Sequence, residues 1–271
     1  MGRKSRQGTG WHMSMYRICT LFFISVIAGS LFLPENYAAD KTKPFTVVID
    51  AGHGGVDSGA VASERYEKDI TLAISHHIKT ILTEWNVHTE LSRDTDEFIT
   101  LKERTRRINT LQPDMCISIH VNSSERNSVH GFESFVYHAS QQPNTKIRSA
   151  DKQESSLLFP FESSDRNSAS LQVACSLHTR MERHTNARDR GIKAGDFYLI
   201  KRVKAPCVLL EVGFLTNAEE GKKLGTAEYQ QTIAKAVAEG IICAVYGSDD
   251  PSIHQLAAHK NDRSENVIIT D

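Results

Sequence analysis

Three apolar segments of the sequence end abruptly at a side chain that can bind a metal or transfer a proton. His53 follows VVIDAG, His120 follows CISI, and Glu211 follows PCVLL. In open α/β sheets, ligands bind beyond the carboxyl ends of the strands. If the three segments are neighbouring parallel strands, we expect their side chains to converge on one edge of the sheet. Glu67 opens the helix that follows the first strand, so it is expected at the same edge.

Two imidazoles and a carboxylate form a ligand set that suits Zn²⁺ and leaves its fourth position open for water. A remaining carboxylate could then act as a general base. Each residue alone also has an ordinary structural explanation. Glu67 would favour a helix N-terminus, and His53 could simply lie in a tight glycine turn. The hypothesis of a metal site therefore depends on all four residues being at one predicted edge.

Other catalytic motifs are absent from the sequence, which has no G-x-S-x-G, H-E-x-x-H or G-x-x-x-x-G-K segment. The glycines around His53 are poorly suited to phosphate, which is bound by backbone N–H groups or a lysine rather than an imidazole. The remaining histidines are predicted at the surface or at hydrogen-bonded core positions. They include His76, His77, His88, His130, His138, His178 and His184.

The composition is that of an ordinary globular protein with one sizeable core or at most two small domains. The 271 residues contain 39% hydrophobic and 24% charged side chains, with a formal net charge of −1. Residues 40–271 contain 28 basic and 32 acidic side chains, so they are mildly acidic. This charge argues against a nucleic-acid partner.

Residues 1–39 are typical of a secretory signal peptide or N-terminal anchor. Arg17 precedes an apolar run of 16 residues, 18–33, which is followed by Pro34 and by the small pair Ala38 and Ala39. A membrane-spanning helix needs roughly 20 apolar residues. We therefore predict export to the periplasm or the extracellular cell envelope, with membrane contact only if the signal is not cleaved.

Strand-like and helix-like segments alternate from Phe45 onward, which predicts a single-domain α/β sandwich of three layers. Its sheet is expected to be mostly parallel and twisted, with about six strands flanked by helices. Residues 141–167 read as a variable polar loop and residues 248–271 as a disordered tail. The predicted helices are Glu67–Glu84, a helix capped by Thr100, 168–182 and 228–246. The predicted strands are FTVVIDA, VHTELSR, MCISIHV, GFESFVYHA, FYLIK and CVLLEVG.

Six blocks of the chain, in this order, resemble the zinc-dependent N-acetylmuramoyl-L-alanine amidases of the amidase-3 family. The resemblance covers about residues 45–246, and we assign the catalytic domain to residues 40–247. It implies His53, Glu67 and His120 as ligands of one Zn²⁺ and Glu211 as the catalytic carboxylate, the four residues selected above. The blocks are VVIDAGHGGVDSGA, EKDITL, LSRDTDEFITLKERTRRIN, CISIHVNS, GFESFVYH and DFYLIKRVKAPCVLLEVGFLTNAEE.

The resemblance implies a peptidoglycan hydrolase. It would cut the amide between the lactyl group of N-acetylmuramic acid and the L-alanine of the stem peptide, for cell-wall remodelling or daughter-cell separation. Asn122 and Arg190 are candidates for orienting the substrate. We expect a monomer whose partner is peptidoglycan. In some relatives an insertion near 141–167 blocks the site until an activator protein binds, so this segment is predicted to be either such a gate or a plain surface loop.

The sequence leaves two alternative functions open. A zinc exopeptidase would share the layered α/β plan and the His and carboxylate ligands, but it would free amino acids from peptides. A catalytically inactive wall-binding module would belong to a different functional class. The retained ligand set and Glu211 argue against the inactive module.

Overall fold

Strands and helices alternate through the computed structural model, which describes residues 45–138 and 166–246. These residues form eight strands and six helices. The strands are β1 (Thr46–Ala51), β2 (Val61–Ala62), β3 (Arg65–Tyr66), β4 (His88–Leu91), β5 (Met115–Asn122), β6 (Phe132–Val136), β7 (Asp189–Ala194) and β8 (Cys207–Phe214). The helices are α1 (Glu67–Glu84), α2 (Leu101–Leu111), α3 (Arg166–Thr185), α4 (Tyr198–Arg202), α5 (Ala218–Leu224) and α6 (Ala227–Tyr246).

Six of the strands form one sheet in the order β4-β1-β5-β8-β6-β7, and β2 and β3 pair separately as a small antiparallel hairpin. The strands β4, β1, β5 and β8 run parallel, β6 is antiparallel to β8, and β7 is parallel to β6. The prediction of a mostly parallel six-stranded sheet is confirmed. The strands β1, β5 and β8 are parallel neighbours, so their carboxyl ends meet at one edge of the sheet.

Successive side chains along each strand point to opposite faces of the sheet, so the core has two layers. Val47 and Ile49 pack with apolar residues of α1, α3 and α6 on one face of the sheet. Val48 packs on the other face with Ile108 of α2 and Leu199 of α4. The helices therefore lie on both faces, which gives the predicted three-layer sandwich. Among residues 45–138 and 166–246, the second face carries the short helices α2 and α4, and the candidate side chains His120 and Glu211 emerge on it.

The two helices that flank the first strands begin where the sequence predicts. Helix α1 spans Glu67–Glu84, and its buried residues Ile70, Ile74 and Ile78 recur every four positions on the side facing the core. Thr100 caps α2 by accepting a hydrogen bond from the backbone N–H of Glu103. These local signals fix the direction in which each helix leaves the carboxyl edge of the sheet.

The segment FYLIK, predicted as a strand, is instead the helix α4. A run of five mostly apolar residues fits either a buried strand or one helical turn, and here Leu199 and Ile200 are both buried on the same side of the sheet. The sequence analysis also missed β2, β3, β7 and α5. The DRGIKA segment of β7 lacks an apolar strand pattern because it forms the edge of the sheet.

Three predicted segments lie wholly or mostly outside the described residues: the leader at 1–39, the loop at 141–167 and the tail at 248–271. Helix α3 begins at Arg166 and ends at Thr185, so it starts within the last two residues of the predicted loop and is longer than the predicted 168–182. Among the described residues, no helix is both long and apolar enough to cross a membrane.

Candidate active site

A tight turn after β1 presents His53 at the carboxyl edge of the sheet. His53 itself adopts a left-handed backbone conformation with φ of 60°, and Gly54 and Gly55 continue the turn. Gly52 is required because a side chain at this position would collide with the His120 ring, and not because of its backbone conformation. A Cβ atom at Gly52 would lie 2.5 Å from Cε1 of His120, so only glycine allows the two imidazole-bearing segments to approach this closely.

Two buried arginines hold the backbone of this turn. Arg104 donates from Nη2 to the carbonyl oxygen of His53 at 2.7 Å and from Nη1 to the Asp50 carboxylate at 2.7 Å. Arg93 donates from Nη2 to the carbonyl oxygen of Gly52 at 3.0 Å and from Nε to that of Ala51 at 3.1 Å. Both guanidinium groups are buried. The carbonyl groups that a tight turn leaves without strand partners are thus satisfied, and the position of His53 is fixed.

His53, Glu67 and His120 converge in one cluster. Oε1 of Glu67 lies 2.9 Å from Nδ1 of His120 and 3.3 Å from Nε2 of His53. The two imidazole rings meet edge to face, with centroids 5.0 Å apart. One ligand atom from each residue lies within 4.8 Å of the others, so the three side chains could hold a metal ion.

Backbone hydrogen bonds fix the Glu67 carboxylate from both sides. Oε2 accepts from the backbone N–H of Ala60 at 2.8 Å, and Oε1 accepts from that of Val121 at 2.9 Å. Burial alone would raise the pKa of Glu67, but the hydrogen bonds and charges of His120 and His53 outweigh it and hold the pKa well below its usual range. The carboxylate is therefore negatively charged and oriented before any ligand binds.

The pKa values of the two imidazoles shift in the opposite direction to that of Glu67. Burial lowers the pKa of His53, but the carboxylates of Glu67 and Asp57 outweigh burial and raise it to about 9. The pKa of His120 is also raised, because hydrogen bonding to Glu67 and the charge of Glu211 outweigh its burial. The cluster attracts positive charge, and a divalent cation could replace the protons that the imidazoles carry. The donor set of two nitrogens and one oxygen fits zinc.

Asp57 orients His53 from behind the cluster. Its Oδ2 lies 2.9 Å from Nδ1 of His53, which leaves Nε2 facing Glu67. A carboxylate in this position fixes the tautomer and ring orientation of a metal-binding histidine. The sequence analysis missed Asp57, although its spacing of four residues from His53 within the turn was available as a signal.

Glu211 lies next to the cluster but outside it. In the sheet register, it is the partner of His120 on β5 and of Glu133 on β6. Its Oε2 is buried and has no hydrogen-bond partner among residues 45–138 and 166–246. Burial raises its pKa to about 7, and the negative charges of Glu67 and Glu133 add to this increase while His120 opposes it.

Asn122 and Arg190 are brought to the same edge, where both contact Glu133. Nδ2 of Asn122 donates to Oε1 of Glu133 at 3.0 Å, and Nε of Arg190 donates to Oε2 at 2.7 Å. Sequence reasoning missed Glu133 as a functional candidate. Its signal was a carboxylate within the apolar strand FESFV, where a buried charge requires partners.

Comparisons with known proteins identify the family and the fold. Residues 47–243 match the family described as N-acetylmuramoyl-L-alanine amidase. Among its relatives, the uncharacterized protein YqiI of Bacillus subtilis (strain 168) is 38% identical over 208 residues, which cover 77% of this chain and 88% of that protein.

Two solved structures share the fold. The catalytic domain of CwlV, an N-acetylmuramoyl-L-alanine amidase from Bacillus (Paenibacillus) polymyxa var. colistinus, is 33% identical with a TM-score of 0.60, covering 73% of this chain and 96% of that one. The CwlD amidase from Clostridioides difficile, in complex with the GerS lipoprotein, is 26% identical with a TM-score of 0.61, covering 74% of this chain and 98% of that one. The chain belongs to the amidase-3 family of N-acetylmuramoyl-L-alanine amidases.

Proposed function

We propose that His53, Glu67, His120 and Glu211 form the active centre of a zinc-dependent peptidoglycan amidase. The bond cleaved is the amide between the lactyl group of N-acetylmuramic acid and the L-alanine of the stem peptide. Family membership supports the reaction. The observation that carries the assignment of roles is the unpartnered Oε2 of Glu211, buried beside a cluster of three ligand atoms.

His53, Glu67 and His120 would hold the metal, since their ligand atoms already face one another. When bound, Zn²⁺ would polarise the amide carbonyl and lower the pKa of a water ligand toward ~7. The protein supplies the rigidity of the site. Arg93 and Arg104 fix the turn that carries His53, and Asp57 sets the orientation of its imidazole ring.

Glu211 would act as the proton shuttle. Its carboxylate takes a proton from the attacking water and delivers it to the leaving alanine nitrogen, because an amide nitrogen does not leave as an anion. In the metal-free site, burial raises the pKa of Glu211 to about 7, so this carboxylate is a stronger base than an exposed glutamate. The backbone of Glu211 is held within β8, between β5 and β6, so its side chain is presented from a rigid element.

Product analysis of purified peptidoglycan tests this function. An amidase releases intact stem peptides with a new N-terminal L-alanine, and metal depletion followed by zinc addition should abolish and restore that release. Free amino acids instead of stem peptides would identify an exopeptidase. Binding to the wall without any product, at full zinc occupancy, would identify an inactive wall-binding module.

We also propose that the protein is exported and acts as a monomer in wall remodelling or daughter-cell separation. The composition of residues 1–39 supports export. CwlD was solved in complex with a lipoprotein, which supports a protein partner, and we propose that such a partner would act as an activator. If the segment 141–167 gates the site, shortening it should raise basal activity at unchanged zinc content. Unchanged activity in a folded deletion variant would favour a plain surface loop.

A further inference from the structure

A row of side chains crosses the sheet from the metal cluster toward its edge. His120 on β5, Glu211 on β8 and Glu133 on β6 are consecutive register partners. Residues paired directly across neighbouring strands present their side chains on the same face. The strand β7 lies beyond β6 as the last strand of the sheet. Any group that β7 places on this face therefore extends the row.

An irregularity between β6 and β7 brings two cations to the end of the row. In a regular strand, residues 190 and 193 would point to opposite faces of the sheet. The register shifts between Phe132 and Ser134, and Gly191 opposite this point has a φ of 89°. Both Arg190 and Lys193 consequently reach Glu133. Bulges of this kind redirect side chains and are frequent beside active sites.

Both cations contact the same oxygen atom. Nε of Arg190 and Nζ of Lys193 lie 2.7 Å and 2.6 Å from Oε2 of Glu133. Glu133 is buried, and one cation would neutralise its charge. The second leaves the three-residue group with one excess positive charge. We call Arg190, Lys193 and Glu133 the β7 cluster.

The two cations of the β7 cluster are ordered but remain accessible. The side chains of Arg190 and Lys193 are 25% and 15% exposed. The Arg190 guanidinium lies over the ring of Phe214 at 4.9 Å, and the Lys193 ammonium lies over that of Phe135 at 5.5 Å. Arg190 also donates from Nη1 to the carbonyl oxygen of His130 at 3.4 Å. Cations fixed in this way lose little freedom when they bind an anion.

We propose that the β7 cluster is a subsite for a carboxylate of the stem peptide, an inference that rests on the proposed function. The lactyl carboxyl group is consumed in the amide that is cut, so the anionic groups of the substrate lie on its peptide side. Arg190 can bind a carboxylate through charge-assisted hydrogen bonds. The subsite also orients the substrate: the peptide lies toward β6 and β7, and the muramyl group lies toward the turn that carries His53.

Two soluble muramoyl peptides test the subsite. They differ only in whether the residue after L-alanine has a free carboxylate or the corresponding primary amide. The native enzyme should show a lower KM for the acid. Arg190→Gln should raise KM for the acid by about 10- to 100-fold, the effect of one charge-assisted hydrogen bond, and should change KM for the amide little. Arg190→Lys should recover part of the difference.

Arg188→Gln is the matched control, because it removes one positive charge from an exposed position two residues earlier. It should leave both KM values unchanged. Zinc content and the thermal midpoint of each variant establish that the fold and the metal site are intact. If the native enzyme does not distinguish the two peptides, or if Arg190→Gln raises both KM values equally, Arg190 only positions Glu133 and the subsite is wrong.

If the protein is not an amidase, the experiment gives a result that differs from failure of the subsite. In that case the native protein cleaves neither peptide, and calorimetric binding of the two peptides to the native protein and to Arg190→Gln tests the subsite by itself. Preferential binding of the acid that Arg190→Gln removes supports the subsite. Equal binding of the acid and the amide by the native protein overturns it.

Discussion

Two glutamates at one edge of the sheet, Glu67 and Glu211, have opposite environments. Glu67 accepts backbone hydrogen bonds at both carboxylate oxygens and faces two imidazoles, and its pKa lies well below the usual range. Glu211 has one buried oxygen with no partner in the described parts of the chain, and its pKa is raised to about 7. Burial alone would raise both pKa values, so the difference comes from their hydrogen-bond partners.

The comparison shows how one residue type can supply two functions. A carboxylate that is always charged and held in place is suited to bind a metal. A desolvated carboxylate without a fixed partner is suited to accept and return a proton. The structure therefore supports assigning Glu67 to the metal and Glu211 to proton transfer, and not the reverse.

The largest effect is expected from removing one of the two imidazoles that contact Glu67. His120→Ala or His53→Ala leaves two of three protein ligands, so zinc content should fall from about one per chain toward zero and amidase activity should be lost. Elemental analysis and stem-peptide release measure the two quantities. His88→Ala, at an exposed position paired with Glu90, is the control and should change neither. Full zinc occupancy in both variants would contradict the ligand assignment.

A smaller effect is expected from the residue that orients His53. Asp57→Asn keeps the size of the side chain but removes its negative charge, so zinc affinity should fall about 10- to 100-fold, as is typical for partners of metal-binding histidines. Competition with a chelator measures the affinity. An affinity equal to that of the native protein would show that Asp57 does not support the metal site.

The charge balance of the metal-free cluster predicts a pH dependence. The pKa of His53 is raised to about 9. Its protonated form therefore stabilises the metal-free fold fully below its unfolded pKa of ~6.5, and this stabilisation is lost as pH rises toward 9. Zinc must displace that proton, so zinc affinity should rise about tenfold per pH unit for each proton displaced. Melting of metal-free protein and zinc titration between pH 6.5 and 8.5 should show these opposite trends, and a flat affinity would contradict them.

The smallest effect concerns the charge next to Glu211. Glu133 contributes to the raised pKa of Glu211, so Glu133→Gln should lower that pKa. The general base must be deprotonated to act, so the acidic limb of the kcat profile should move to lower pH by less than about one unit. Restoring Glu133 in this variant should return the acidic limb to its native position. A shift to higher pH would show that Glu211 is not the group that titrates.

The sequence was sufficient to predict the location of residues that lie at the end of a strand or at the start of a helix. His53, His120 and Glu211 could be predicted together because β1, β5 and β8 are parallel neighbours. Glu67 could be added because it opens α1, the first helix after β1, and so was expected at the same edge. In each case a local pattern and one rule of sheet topology determined the location.

The sequence was insufficient where a role depends on contacts between distant segments. Glu133 was missed because its partners Asn122, Arg190 and Lys193 come from β5 and β7, and β7 itself has no strand pattern. Arg104 reaches the turn at His53 from 51 residues away in the sequence. The substrate roles of Asn122 and Arg190 remain predictions, because the structure places both side chains against Glu133.

The most direct measurement uses Glu211→Gln and determines zinc content, thermal stability and turnover on the same protein. This change keeps the size of the side chain but prevents it from accepting the water proton. The account predicts about one zinc ion per chain, a native-like melting temperature and turnover reduced roughly 10²- to 10⁴-fold, the contribution of a positioned general base. Loss of zinc together with activity, or turnover close to that of the native enzyme, would contradict the separation of Glu211 from the metal ligands.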